Sequence, residues 1–115
     1  MWQVLIFLKG DDSMENNLMS IEAIKLSLRI DHSYDNAMIE GYILAAKNYV
    51  RNAVDMDATQ DDMNAYEGFP LAVSLLVQYW YVNRTESVEY VPNTVISLIQ
   101  QIRGEHYAKT NSNEV

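Results

Sequence analysis

The sequence predicts an all-α protein: a compact bundle of four helices or five, with a long loop before the third and an extended connection before the last. Three observations carry this. Four stretches place apolar residues at three- and four-residue steps, the repeat of a single helix face. Each stretch opens near a residue suited to a helix start, namely Ser20, Ser33, Pro70 and Pro92. The 115 residues, 49% of them hydrophobic, carry enough apolar surface to offset chain entropy but length for only one core.

The N-terminal residues stand apart. Met1 to Leu8 form an apolar run that stops at Lys9-Gly10-Asp11-Asp12. A bilayer-spanning helix takes about 20 residues, so the run is no membrane anchor. It has neither the positive flank nor the small-residue cleavage site of a signal peptide. Two readings remain: an edge strand or docking peptide, and sequence translated from upstream of the true start. The second is the expectation, because Lys-Gly-Asp-Asp can be encoded by AAA-GGA-GAT-GAT, a purine-rich ribosome-binding sequence just ahead of Met14. The expected organisation is therefore an upstream, non-native or disordered extension over 1–13, a helical domain over 14–107 and a flexible polar tail over 108–115.

The first helix follows Ser20, whose hydroxyl can accept from free first-turn amides, with Glu22 adding favourable negative charge there. Ile21, Ile24 and Leu28 mark its apolar face. Ser33 is the expected cap of the second and longest helix, with Asp35 in the first turn and Ile39, Ile43, Ala46 and Val50 inward. Gly41 inside this helix costs about 1 kcal/mol relative to Ala, and is read as making room for a neighbouring helix. From Val54 to Phe69 the periodicity lapses, which gives the loop, with room for one turn of helix. Pro70 suits the first turn of the third helix, where Leu75, Leu76, Tyr79 and Trp80 follow on one stripe. Glu86 to Val91 reads as the extended connection. Pro92 opens the fourth helix, with Val95, Leu98, Ile99 and Ile102 inward and Gly104 as its cap. The expected core is Ile24, Leu28, Ile39, Ile43, Ala46, Val50, Leu75, Leu76, Tyr79, Trp80, Leu98 and Ile99.

With 8 Lys+Arg against 16 Asp+Glu, the formal charge is −8. That argues against non-specific binding to DNA or to an anionic membrane, because phosphate contact draws affinity from counterions released around Lys and Arg. The absence of cysteine removes disulfides, thiolate metal sites and thiol catalysis together. His32 and His106 read as solvated surface histidines, neither lying four residues from a second ligand on a helix. Asp55, Asp57, Asp61 and Asp62 invite a calcium-loop reading, but Gln60 stands where glycine is needed, Thr59 at a ligand position, and Tyr66 where the closing Glu belongs. There is no nucleophile elbow and no phosphate-cradling glycine loop, so no catalytic residue, metal or cofactor is expected. Asn83-Arg84-Thr85 spells a glycosylation sequon, which means nothing without secretion. A helix-turn-helix around Asp31 to Ser33 would aim Asp35 and Glu40 at phosphates, which disfavours it. Tyr79-Trp80-Tyr81 must spread over more than half of the helix circumference, so part of it is expected to be covered by something beyond this small core, which suggests an oligomer.

These residues resemble a family. Leu28-Arg29-Ile30-Asp31, Asp35, Ile39, Ala45-Ala46 and Tyr49-Val50 resemble the first half of the small head-tail connector, or adaptor, proteins of long-tailed phages. Pro70, Leu75, Tyr79-Trp80-Tyr81, Asn83-Arg84, Pro92, Val95, Leu98-Ile99 and Arg103 resemble the second half. The resemblance covers Met19 to Arg103. One departure is Val54-Asp55-Met56-Asp57 where the family often has a Thr-Gly turn. The resemblance implies an all-α, non-enzymatic virion protein, formed in the host cytoplasm, that assembles as a homo-oligomeric ring between the portal protein and a head-completion or stopper protein. Such a ring extends the channel for double-stranded DNA without binding it sequence-specifically, and needs no membrane. Interface candidates are Arg29, Arg51, Tyr81, Arg84 and Arg103; Asp55, Asp57, Asp61 and Asp62 are channel-facing candidates whose charge would repel the DNA backbone. Two other readings are a small acidic helical interaction module or regulator without catalytic activity and, ranked last, a metal-dependent enzyme using the aspartate loop.

Overall fold

The computed structural model describes residues 17–85 and 90–114. The expectations for residues 1–13, and for Glu86 to Glu89 of the connection, lie outside the described residues. A 3-10 turn at Asn17–Met19 leads into five helices: α1 Ile21–Leu28, α2 Asn36–Val54, α3 Gln60–Met63, α4 Gly68–Val82 and α5 Asn93–Glu114. No strand occurs among the described residues. The extra helix is the single turn α3 in the long loop.

Local chemistry explains most boundaries. The Ser20 hydroxyl accepts from the Ala23 amide, as its position implies. α1 ends on Arg29 in the left-handed conformation, φ 62° and ψ 41°, with the Arg29 amide on the Leu26 carbonyl and the Ile30 amide on Lys25. That hydrogen-bond pair is the usual closure of a helix end, but glycine normally holds the left-handed position; a side chain there costs about 1 kcal/mol. α2 starts two residues later than Ser33 implies. Asp35 holds the cap position without capping, because its carboxylate accepts from the Tyr81 hydroxyl on α4. Lys25 reaches Asn36 at 2.7 Å and ties α1 to the start of α2. The Pro92 carbonyl accepts from the Val95 and Ile96 amides and so begins the hydrogen-bond ladder of α5.

The core joins α1, α2, α4 and α5 around Ile24, Ile39, Ala46, Val50, Leu76 and Val95, all fully buried. Ile43 and Ile99 are buried as expected, whereas Leu28, Leu75, Tyr79, Trp80 and Leu98 are half-buried at its edge. The loop supplies core side chains of its own, because Ala58, Met63, Tyr66 and Phe69 all point inward. Met63, Tyr66 and Phe69 keep a three-residue step, but across the end of α3, a turn and the start of α4, and Ala58 lies off it, so the run is too short to read as a helix face.

Three expectations are corrected. Gly41 faces open space with nothing within 4 Å of an added Cβ, so no neighbouring helix explains it. Gly104 caps nothing, because α5 runs through it to Glu114. His106 is therefore carried onto the buried stripe of α5, one turn beyond Ile102, and is only 8% exposed rather than a surface residue.

Two substitutions test the backbone account. Gly41→Ala, which fills empty space in a helix interior, is expected to stabilise the chain by about 1 kcal/mol in urea unfolding. Arg29→Gly relieves the left-handed residue and is expected to stabilise by about 1 kcal/mol in the same measurement.

Candidate functional site

The acidic segment between α2 and α4 is held by its own polar groups. The Thr59 hydroxyl accepts from the Asp62 amide at 3.1 Å, and the Asp62 carboxylate accepts from the Thr59 amide at 2.9 Å, so one pair closes the start of α3. Arg51, the last cation of α2, donates to the carbonyls of Ala58 at 2.9 Å and Met56 at 3.3 Å. Arg51 thus folds the loop of its own chain.

The loop is then locked to α5. His106 Nε2 meets Asp55 Oδ2 at 3.0 Å, and His106 Nδ1 meets the Tyr66 hydroxyl at 2.7 Å. The neutral tautomer that satisfies both is Nε2–H donating to Asp55, with Tyr66 donating to Nδ1. The Asp57 amide also donates to Asp55 Oδ1 at 3.0 Å. That amide and the His106 bond hold the Asp55 carboxyl below its ordinary value. Burial, with the carboxylates of Asp62 and Glu105 nearby, pushes the Tyr66 phenol up. An Asp-His-Tyr chain has the order of a proton relay, but here its Tyr66 end is buried. As arranged, it is a clamp joining the α2 end, the loop and α5. Among the described residues no group of three or more acidic or histidine side chains is placed to hold a metal ion.

At the other end of α4 sits the aromatic and arginine group. Tyr81 is buried and donates to Asp35, and that bond, then burial, raises its phenol above the ordinary range. Tyr81 is therefore corrected from an interface candidate to a core side chain that ties α4 to α2. Arg84 lies over the Tyr81 ring at 4.0 Å and donates to the Tyr81 carbonyl at 2.6 Å, its outer side exposed. Arg29 and Arg103 are exposed. The one ion pair among the described residues is His106–Asp55, so no Lys or Arg there pairs with a carboxylate. Of the acidic candidates, Asp55 and Asp62 are engaged in the clamp and the α3 cap, while the Asp57 and Asp61 side chains are exposed.

An apolar groove completes this surface, with α4 as its floor (Leu75, Gln78, Tyr79, Val82), Leu28 of α1 as one wall, and Pro92 with Val95 of α5 as the other. Its volume is about 360 Å³ and its lining carries no charged residue. The clamp and the groove are the features the sequence did not reveal. For the clamp a signal existed: Ile99, Ile102 and His106 keep the helical step through Gly104, and following it would have placed His106 inside.

A family model described as phage gp6-like head-tail connector protein matches residues 18–103, nearly the same span as the resemblance read from the residues. No curated protein and no solved structure matches the chain. No helix among the described residues is long and apolar enough to cross a membrane.

The clamp has a pH signature. Because the Asp55 pKa is lowered by folding, its carboxylate stabilises the fold above its ordinary value of 3.8, and this contribution is lost as pH falls through the lowered value. His106→Ala leaves the buried Tyr66 hydroxyl without its partner, and is expected to cost about 2 to 3 kcal/mol at pH 7 in urea unfolding. In a series of unfolding curves below pH 5, that variant should lose less stability on acidification than the wild type.

Proposed function

Since this chain belongs to the phage gp6-like head-tail connector protein family, a structural protein family, we propose that it forms a ring between the portal and the tail-side completion protein and lines the DNA channel there. The match over residues 18–103 carries this reading, because it takes in α1 to α4 and the packed half of α5. The physical character of the chain supports it. Rigid, closely packed helices suit a conduit wall, and a head-to-tail contact between copies whose rotation closes yields a ring. A chain of charge −8 can enclose DNA without holding it, since it gains nothing from counterion release. The exposed Asp57 and Asp61 are the carboxylates of the acidic loop free to face the passing backbone, while Asp55 and Asp62 keep that loop rigid.

Particles of the encoding phage should carry the protein at the junction of head and tail, by electron cryomicroscopy or by antibody labelling. Deleting the gene is expected to leave DNA-filled or leaking heads and free tails, with infectious titre down by at least 10³-fold. Infectious, tailed particles formed without the protein would overturn the reading. The same holds if the protein is missing from wild-type particles.

A further inference from the structure

α4 is 15 residues long and contains no charged side chain. A helix of that composition is one that protein covers on every side. The subunit covers it incompletely. Trp80 meets Tyr42 of α2 and Tyr81 meets Asp35 just before it, and at 100° per residue Leu71, Leu75, Gln78 and Val82 fall on the far side. There Val82 is 63% exposed and Leu71 41%, and the groove between α1 and α5 runs over Leu75, Gln78 and Val82.

A second surface answers it. α2 buries Ile39, Ile43, Ala46 and Val50 against the core, and its outward face carries Ala37, Glu40, Gly41, Leu44, Ala45 and Asn48. The outward face of an amphipathic helix is ordinarily rich in charge. This one carries a single carboxylate, Glu40, Leu44 stands 64% exposed at its middle, and Gly41 lowers the ridge beside it with nothing of the subunit within 4 Å of an added Cβ. α2 and the open side of α4 therefore form opposite faces of one subunit.

We infer that the outward ridge of α2 seats in the α4 groove of a second copy of the chain, head to tail. This rests on the ring reading above and names its contact. Charge selects the occupant. Two chains of −8 repel, so the favoured pairing sets the one carboxylate of the ridge, Glu40, against cations beside the uncharged groove. Arg29 and Arg84 follow its lining residues Leu28 and Asn83, and Arg84, two residues past Val82, sets the N-terminal half of the ridge, with Glu40, toward the Val82 end. Leu44 then enters between Leu75 and Val82 as the anchor, and Gly41 lets the two helix backbones approach. Because the ridge and groove lie on opposite faces of each copy, the contact repeats instead of closing as a pair.

The chain has no cysteine, which makes cross-linking clean. Gly41→Cys on one copy and Val82→Cys on another should form a disulfide at least tenfold faster than Val82→Cys with Met56→Cys, a control placed at a 77% exposed loop site. Adding Leu44→Glu, an exposed substitution whose folding is checked by circular dichroism, should slow the 41–82 product at least tenfold. A chain carrying both cysteines should give a ladder of oligomers, and the 41–82 product should also form in phage particles. Rates equal to the control, or 41–41 and 82–82 products outrunning 41–82, would overturn the contact. Particles that contain the protein but yield no 41–82 product would overturn it too while leaving the connector reading standing. Particles without the protein would overturn both.

Discussion

Everything in this subunit is arranged around one uncharged helix. α4 brings Phe69, Ala72, Val73, Leu76 and Val77 into the core, and α2 and α5 both pack along it. A helix side chain of this kind contributes about 1.5 to 3 kcal/mol when fully buried, so the faces covered by α2 and α5 dominate the free energy of folding. The two polar fastenings stand at its ends and serve the same helix. Tyr81 and Asp35 fix its C-terminal end to the start of α2, while Tyr66, just before its first turn, is held by His106 and through it by Asp55. Each fastening buries a phenol against a partner that accepts its proton. Removing either partner leaves a polar group inside the protein with nothing to bond, and the loss falls on the register of α4 rather than on a loop.

The clamp also carries α5 past Gly104. Its last buried side chain is His106, and the following residues up to Asn111 are exposed on every side. Gly104 is a poor helix former, worth about 1 kcal/mol against the helix, and two residues beyond it the imidazole makes two hydrogen bonds of about 1 kcal/mol or more each. The tertiary bonds outweigh the local propensity, so the helix continues where the local signal says stop. The same balance explains Asp35. A cap hydrogen bond is worth about 1 kcal/mol, but the carboxylate instead accepts from a largely buried tyrosine that would otherwise go unpaired.

These cases mark what could be read in the sequence. The Ser20 cap, the inward stripes of α2 and α5, and Pro70 and Pro92 at helix starts depend on neighbours three or four residues away, and periodicity and capping rules see that far. The inward-pointing Ala58, Met63, Tyr66 and Phe69 depend on short turns held by Arg51 and Thr59, and a three-residue step kept over only Met63, Tyr66 and Phe69 is too short to read as a helix. Tyr66, His106 and Asp55 are separated by 40 and 51 residues, beyond any local rule. The consecutive aromatics leave no ring fully exposed, since Tyr79 and Trp80 are half-buried and Tyr81 is buried. Tyr81 turns inward to Asp35, and it is the aliphatic Leu71 and Val82 that remain outside.

The charge distribution follows the same division of labour. Among the described residues the cations either serve backbone carbonyls and amides, as Arg51, Arg84 and Lys25 do, or stand exposed, as Arg29 and Arg103 do; none neutralises a carboxylate. Exposed pairs contribute under about 1 kcal/mol each, so the fold loses little by doing without them. The gain lies elsewhere. A subunit that leaves its carboxylates unneutralised keeps Asp57 and Asp61 of the loop exposed and charged, and it leaves Arg29 and Arg103 facing outward. Arg29 shows the bias most plainly, because glycine would fit its left-handed backbone better and would serve α1 alone equally well. A guanidinium placed there, against local preference and next in sequence to a groove residue, is one that the contact proposed between copies would use.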